Sequence, residues 1–243
     1  MVWKDYLKRI ATESIHDCAL KLTEKCGQRC VWELGLSDVY KWKYQPFMPV
    51  EFSGAAYRFG HSMVRNSYQT NDLEGVEQPR PIFSTSEGSR DLRGFRPMLK
   101  ENVIQWHRFL EMGHIPQMAR KIDTRLSNAL TELPFTGDKP NNMLAFLNLK
   151  RGVNLGLPSG ENVAKKLCVE PINIGCNEPE SLWYYVLKEA DQQCNGENLG
   201  SVGSTIVCAV FAGLLKGDPH SFFNTEPCWN CLLYTSPSPR DRG

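Results

Sequence analysis

The chain has 243 residues, 41% of them hydrophobic and 23% charged, with a net charge of +1. That balance is ordinary for a globular protein, and it gives no reason to invoke a nucleic-acid or acidic partner. The length allows one large domain or two small ones, and six Trp, eleven Phe and eight Tyr are enough to furnish a sizeable core.

In chain order, residues 3–22 predict an amphipathic helix. Trp3, Tyr6, Leu7, Ile10, Ile15, Cys18, Ala19 and Leu22 fall near helical spacing, and Gly27 closes it. The charges at Lys4, Asp5, Lys8, Arg9, Glu13 and Asp17 exclude a signal peptide over residues 1–20. A second helix is predicted after Pro49, with the proline in its first turn and Glu51 suited to the positive helix end. It is expected to run through Phe52, Ala55, Ala56, Phe59, Met63 and Val64 to about Tyr68. Residues 69–98 are rich in Gly, Pro, Ser and charge, and predict a long ordered excursion or a short hairpin.

Further helices are predicted at about 100–112, 115–130, 161–168, 179–193 and 199–216. The last is apolar nearly all round (Val202, Ile206, Val207, Ala209, Val210, Phe211, Leu214, Leu215), which argues for burial in a core. Its most apolar stretch, Ile206 to Leu215, is too short to span a bilayer. Strand signals are weak and no repeat is evident, so the expected architecture is mainly α. The end of the chain, 231–243, differs in kind. Its run LLYTSPSPRDRG resembles the translation of a ligated sequencing adaptor and is set apart from the functional residues.

Nine cysteines are many for a cytosolic protein. Cys26 and Cys30 form one close pair and Cys228 and Cys231 another, while Cys168, Cys176, Cys194 and Cys208 are scattered. This leaves open a structural zinc, one or two disulfides such as Cys26–Cys30, or buried free thiols.

Two segments carry chemistry. Tyr57-Arg58-Phe59-Gly60-His61-Ser62 sits on the predicted second helix, where a spacing of three puts Arg58 on the same face as His61. Gly60 has no side chain to keep a flat ligand away from the backbone. A histidine on such a helix is more often a hydrogen-bonded core residue than a ligand. The second segment, residues 144–158 (LAFLNLKRGVNLGLP), buries Asn148 in an apolar run where its amide must find a partner. Either that amide braces a turn locally, or it accepts the ring N–H of a metal-ligating histidine.

The two segments together resemble the animal haem peroxidase (peroxidase–cyclooxygenase) family, bacterial-like branch, over about 230 residues. The proximal motif, aromatic-Arg-aromatic-Gly-His, is matched by Tyr57-Arg58-Phe59-Gly60-His61. The later motif, Leu-Asn-x-x-Arg followed by Gly-Leu-Pro, is matched by Leu147-Asn148-Leu149-Lys150-Arg151 and Gly156-Leu157-Pro158, with about 87 residues between His61 and Asn148. The phrases PFMPVEFSGAAYRFGHSMVR, LWYYVLKEA and LGSVGSTIVCAVFAGLLKGDP add to the likeness.

The resemblance implies a mainly α fold, the C-terminal portion of the family's helical domain, over residues 1–230. It implies haem b as cofactor, His61 as axial iron ligand, Asn148 as acceptor of the other ring N–H, and Arg58 and Arg151 as holders of the haem propionates. Hydrogen peroxide would be reduced at the expense of small one-electron donors, with no nucleic acid and no membrane span involved. The remaining histidines, His16, His107, His114 and His220, are expected to be structural or exposed.

In this family a distal histidine and arginine and a calcium site precede a helix resembling residues 2–11. The sequence is therefore expected to be an N-terminally truncated portion that by itself binds haem weakly and turns over little peroxide. Two other activities are compatible with the same fold. Fatty-acid dioxygenases of the superfamily carry a tyrosine three residues before the proximal histidine. Here that position is Arg58, and Tyr57 lies four before, which favours the peroxidase. A non-catalytic interaction domain would have no use for the His61 and Asn148 pair.

Overall fold

The segment that is apolar nearly all round becomes the longest helix of the structure. In the computed structural model the described residues are 47–74, 79–84, 91–97, 99–134, 137–175 and 180–225. The predicted helix over 3–22, His16, the Cys26–Cys30 and Cys228–Cys231 pairs and the 231–243 tail lie outside them.

Six α-helices are described: α1 (Val50–Gly54), α2 (Leu144–Asn154), α3 (Gly160–Lys166), α4 (Leu182–Cys194), α5 (Ser201–Gly217) and α6 (Phe222–Thr225). Two short strands, β1 (Ser67–Tyr68) and β2 (Arg80–Pro81), pair antiparallel with Ser67 opposite Pro81 and Tyr68 opposite Arg80. The architecture is mainly α, and the 69–98 region holds the second strand of the expected short hairpin.

Helix α4 is the hub. Its start is fixed by Ser181, whose hydroxyl accepts the Tyr184 N–H at 3.3 Å. It ends where Asn195 and Gly196 take left-handed backbone angles (φ 50° and 72°). Leu182, Trp183, Tyr185, Val186, Leu187 and Ala190 recur at helical spacing and are all buried. Full burial of each large apolar side chain is worth about 1.5–3 kcal/mol.

Against this face lie α3, α5 and the short 3-10 helix Ala56–His61. Gly160, in the first turn of α3, makes close packing possible: a Cβ there would lie 1.9 Å from Cγ of Tyr185. The start of α5 is capped from outside, because the buried Glu189 carboxylate of α4 accepts the N–H groups of Val202 and Gly203 at 2.9–3.0 Å.

Three expectations need correction. The helix after Pro49 does not reach Tyr68. Proline stands at the N-cap rather than inside the first turn, and the α-helix stops at Gly54. Ala55 departs from helical geometry (φ −134°, ψ −74°), and the chain continues as the tighter 3-10 helix to His61.

The helices expected at 100–112 and 115–130 are absent. Only single 3-10 turns form, at Lys100–Asn102, Trp106–Arg108 and Asn128–Leu130. Backbone donors there bond distant segments instead of the preceding turn, as in Gln105 N–H to Thr70 C=O (2.9 Å) and Arg120 N–H to Met63 C=O (3.1 Å). Val103, Trp106, Ile115 and Met118 accordingly point outward rather than forming a buried stripe.

Conversely, α2 forms where no helix was singled out, with Gly156 (φ 61°) just beyond its end. No helix among the described residues is long and apolar enough to cross a membrane.

Candidate functional site

His61 is the last residue of the 3-10 helix, half-buried, and its place is set by the packing of that helix. Ala56 and Phe59 are buried against the core, and the Ser62 hydroxyl donates back to the Phe59 carbonyl at 2.8 Å. The Trp183 indole N–H reaches the Arg58 carbonyl at 3.4 Å, which ties the helix to α4. Three residues per turn bring Arg58 and His61 onto one edge more closely than the α-helix expected from the sequence would.

Helix α2 packs on α1 and α4, and its one buried residue is Asn148, 1% exposed. Its amide nitrogen lies 2.9 Å from Nδ1 of His61. The two side chains that the resemblance pairs, 87 residues apart, thus meet in hydrogen-bond contact. In the orientation seen, the amide donates to Nδ1, the reverse of the expected polarity. A half-turn of the amide exchanges nitrogen and oxygen with almost no change of shape. No hydrogen bond to Nε2 of His61 occurs among the described residues.

The site is positively charged. Arg58 donates through Nε to the Ser53 carbonyl at 3.0 Å, and Arg151 is exposed one turn beyond Asn148 on α2. Among the described residues neither arginine has an acidic partner. Burial and then the neighbouring Arg151 lower the Arg58 pKa. Burial, then Arg58, then Arg151 hold His61 below its ordinary value of 6.5. Its imidazole is therefore neutral at pH 7, the form that can donate a lone pair to a metal. A Cβ built on Gly60 would meet nothing within 4 Å, so the backbone beside His61 is open to a flat group.

The other described histidines are differently placed. Nε2 of His107 lies 3.1 Å from Oδ2 of Asp72, and its ring lies 5.5 Å from that of His114. His220 is exposed in a turn after α5. Sequence reasoning missed Trp183 and Ser53, which fix Arg58. A tryptophan in an apolar helix reads as core, and a backbone carbonyl carries no signal at all.

A statistical description of the animal haem peroxidase family matches residues 1–173, and the chain belongs to that family. Chorion peroxidase of Drosophila melanogaster is 31% identical over 131 residues, 51% of this chain and 15% of that protein. Among solved structures, peroxidase A from Dictyostelium discoideum has a TM-score of 0.46 at 22% identity, covering 72% of this chain and 37% of the other. The chain therefore spans well under half the length of these relatives.

Proposed function

We propose that this chain provides the proximal side of a haem peroxidase, with His61 as the axial ligand of haem iron through Nε2. A porphyrin brings four nitrogens of its own, so one protein donor is enough to hold the metal. The residues present fit such a group: among the described residues, a neutral imidazole with one free nitrogen, a buried amide on the other, and two arginines without acids. The observation that carries the reading is the 2.9 Å contact between His61 and Asn148.

Haem, when bound, supplies the reduction of hydrogen peroxide and the one-electron oxidation of small donors. The chain's own residues bind and orient. Asn148, with its oxygen turned toward Nδ1, accepts the ring proton there and directs the Nε2 lone pair outward. A neutral amide pushes less electron density into the imidazole than a carboxylate would, which favours a higher iron potential. Arg58 and Arg151 would hold the two propionates, since guanidinium matches carboxylate in charge and shape. The same cations keep protons off His61, so they protect its ligating form.

The test is a haem titration of the 243-residue chain followed by its absorption spectrum. His61→Ala should abolish the histidine-ligated spectrum, and added imidazole should restore it in His61→Gly. His107→Ala and His220→Ala should leave it unchanged. A wild-type spectrum in His61→Ala would sink the assignment. For the whole protein, oxygen uptake with linoleate in the absence of peroxide would replace the peroxidase by a dioxygenase.

A further inference from the structure

The loop from Leu92 to Pro97 folds around one buried acid. Asp91 is fully buried, and its carboxylate accepts Nε of Arg93 at 2.7 Å and Nη2 of Arg96. It also accepts the N–H groups of Ser84 and Arg93 at 2.9 and 3.2 Å. Arg96 donates a further bond to the Arg93 carbonyl at 3.0 Å. Between the two arginines Phe95 takes a left-handed backbone angle (φ 60°), strained for a bulky residue, with its ring turned out to solvent. Two guanidinium groups on one carboxylate leave a surplus positive charge. They are held from behind, yet 37% and 40% of their side-chain surfaces stay exposed. Among the described residues Nη1 of Arg93 has no acceptor.

Both arginines line a cavity of about 360 Å³. Its apolar wall includes Leu92, Ile104, Tyr68 of β1 and Phe109, with the last two rings 6.2 Å apart and tilted by 34°. Among the described residues the lining holds no acid, and it shares nothing with the His61–Asn148 site. We propose that this cavity binds a small aromatic carboxylate. Its volume lies at the small end of ligand sites, about 300–1,000 Å³, and suits one ring. Tyr68 and Phe109 offer aromatic surface to that ring. The guanidinium groups match the carboxylate in charge and planar shape. Because Asp91 already fixes both arginines, little side-chain freedom is left to lose when the acid binds. An uncharged ring would leave the surplus charge unanswered, and an inorganic anion would leave the apolar wall wet.

The whole chain, free of haem, is titrated with 4-fluorobenzoate and with 4-fluorobenzamide, its uncharged counterpart of similar shape, followed by fluorine NMR. The benzoate should bind about tenfold more tightly, the size of one charge-assisted hydrogen bond. Arg93→Gln should erase most of that preference while the amide binds as before. Ile104→Glu puts an acid at an exposed position of the lining and should weaken the benzoate at least as much. It decides alone if Arg93→Gln does not fold. The double variant Arg58→Gln, Arg151→Gln should keep the benzoate affinity, which separates this cavity from the cations around His61. Absence of saturable benzoate binding overturns the proposal, as does equal binding of the amide. So does a preference that survives in Ile104→Glu or in folded Arg93→Gln, or one that is lost in the double variant.

Discussion

Replacing Asn148 by aspartate tests the central pair without any need for haem. The change puts a carboxylate where the amide now lies 2.9 Å from Nδ1 of His61. At present burial, Arg58 and Arg151 together hold that ring below 6.5. Protonation of the wild-type ring therefore opposes folding. The contribution is fully present above the unfolded value of 6.5 and is lost as the pH falls through the lower folded value.

A unit charge about 4 Å away is worth about 4 kcal/mol at an effective dielectric constant of about 20. Solvent around the half-exposed ring reduces this, and an opposite charge at such range typically raises a histidine by about 1–3 units. Asn148→Asp should shift the ring by that amount, with the carboxyl and imidazole titrating as a pair. Asn148→Leu, which removes the hydrogen bond and adds no charge, should shift it far less.

Proton NMR of the ring, assigned by comparison with His61→Ala, reads both variants. A titration in Asn148→Asp indistinguishable from wild type would mean that the two side chains are not paired in solution. With haem bound, the same substitution should lower the iron potential, because a carboxylate on Nδ1 makes the imidazole a stronger donor.

The arginines offer a graded version of this experiment: Arg58→Gln should bring His61 closer to 6.5 than Arg151→Gln does, since Arg58 depresses it more. The reverse order would contradict the charge arrangement. At the start of α5, burial pushes Glu189 up from 4.5 to about 7, against the pull of the Val202 and Gly203 N–H groups. A folded value above the unfolded one gives stability that is fully present below about 4.5 and lost as the pH rises through about 7, about 3 kcal/mol in all. Urea unfolding across that window should show a loss with rising pH that is smaller by about this amount in Glu189→Gln than in wild type; equal slopes would refute it. Gly160→Ala drives a methyl into the Tyr185 ring, 1.9 Å from Cγ, and should cost about 1–3 kcal/mol or more in thermal unfolding. An unchanged melting temperature would contradict the packing of α3 on α4.

What the sequence made legible follows from how each feature is written in it. Helices α3 and α4 carry their own caps, Ser159 and Ser181, and α5 is apolar nearly all round, so the positions of all three matched expectation to within a few residues. Helix α2 lacks that punctuation. Its N-cap Met143 makes no side-chain bond, and Leu149 and Val153 face outward at 39% and 80% exposure. Apolar letters that do not mark a buried face give no period to find. The reverse error, over 100–130, has the same origin: apolar letters there suggested a helix, but the backbone bonds lead to residues far away in sequence.

The His61–Asn148 contact belongs to neither case. No spacing rule joins residues 87 apart, and the pair became visible only through the resemblance carried by the two motifs. Thr205 and Glu189 were silent for another reason: in a helix that reads as core, a single polar residue passes as tolerated. Burial turns such a residue into a demand for a partner. Glu189 meets that demand at the first turn of α5, and Thr205, four residues into the same helix, does not.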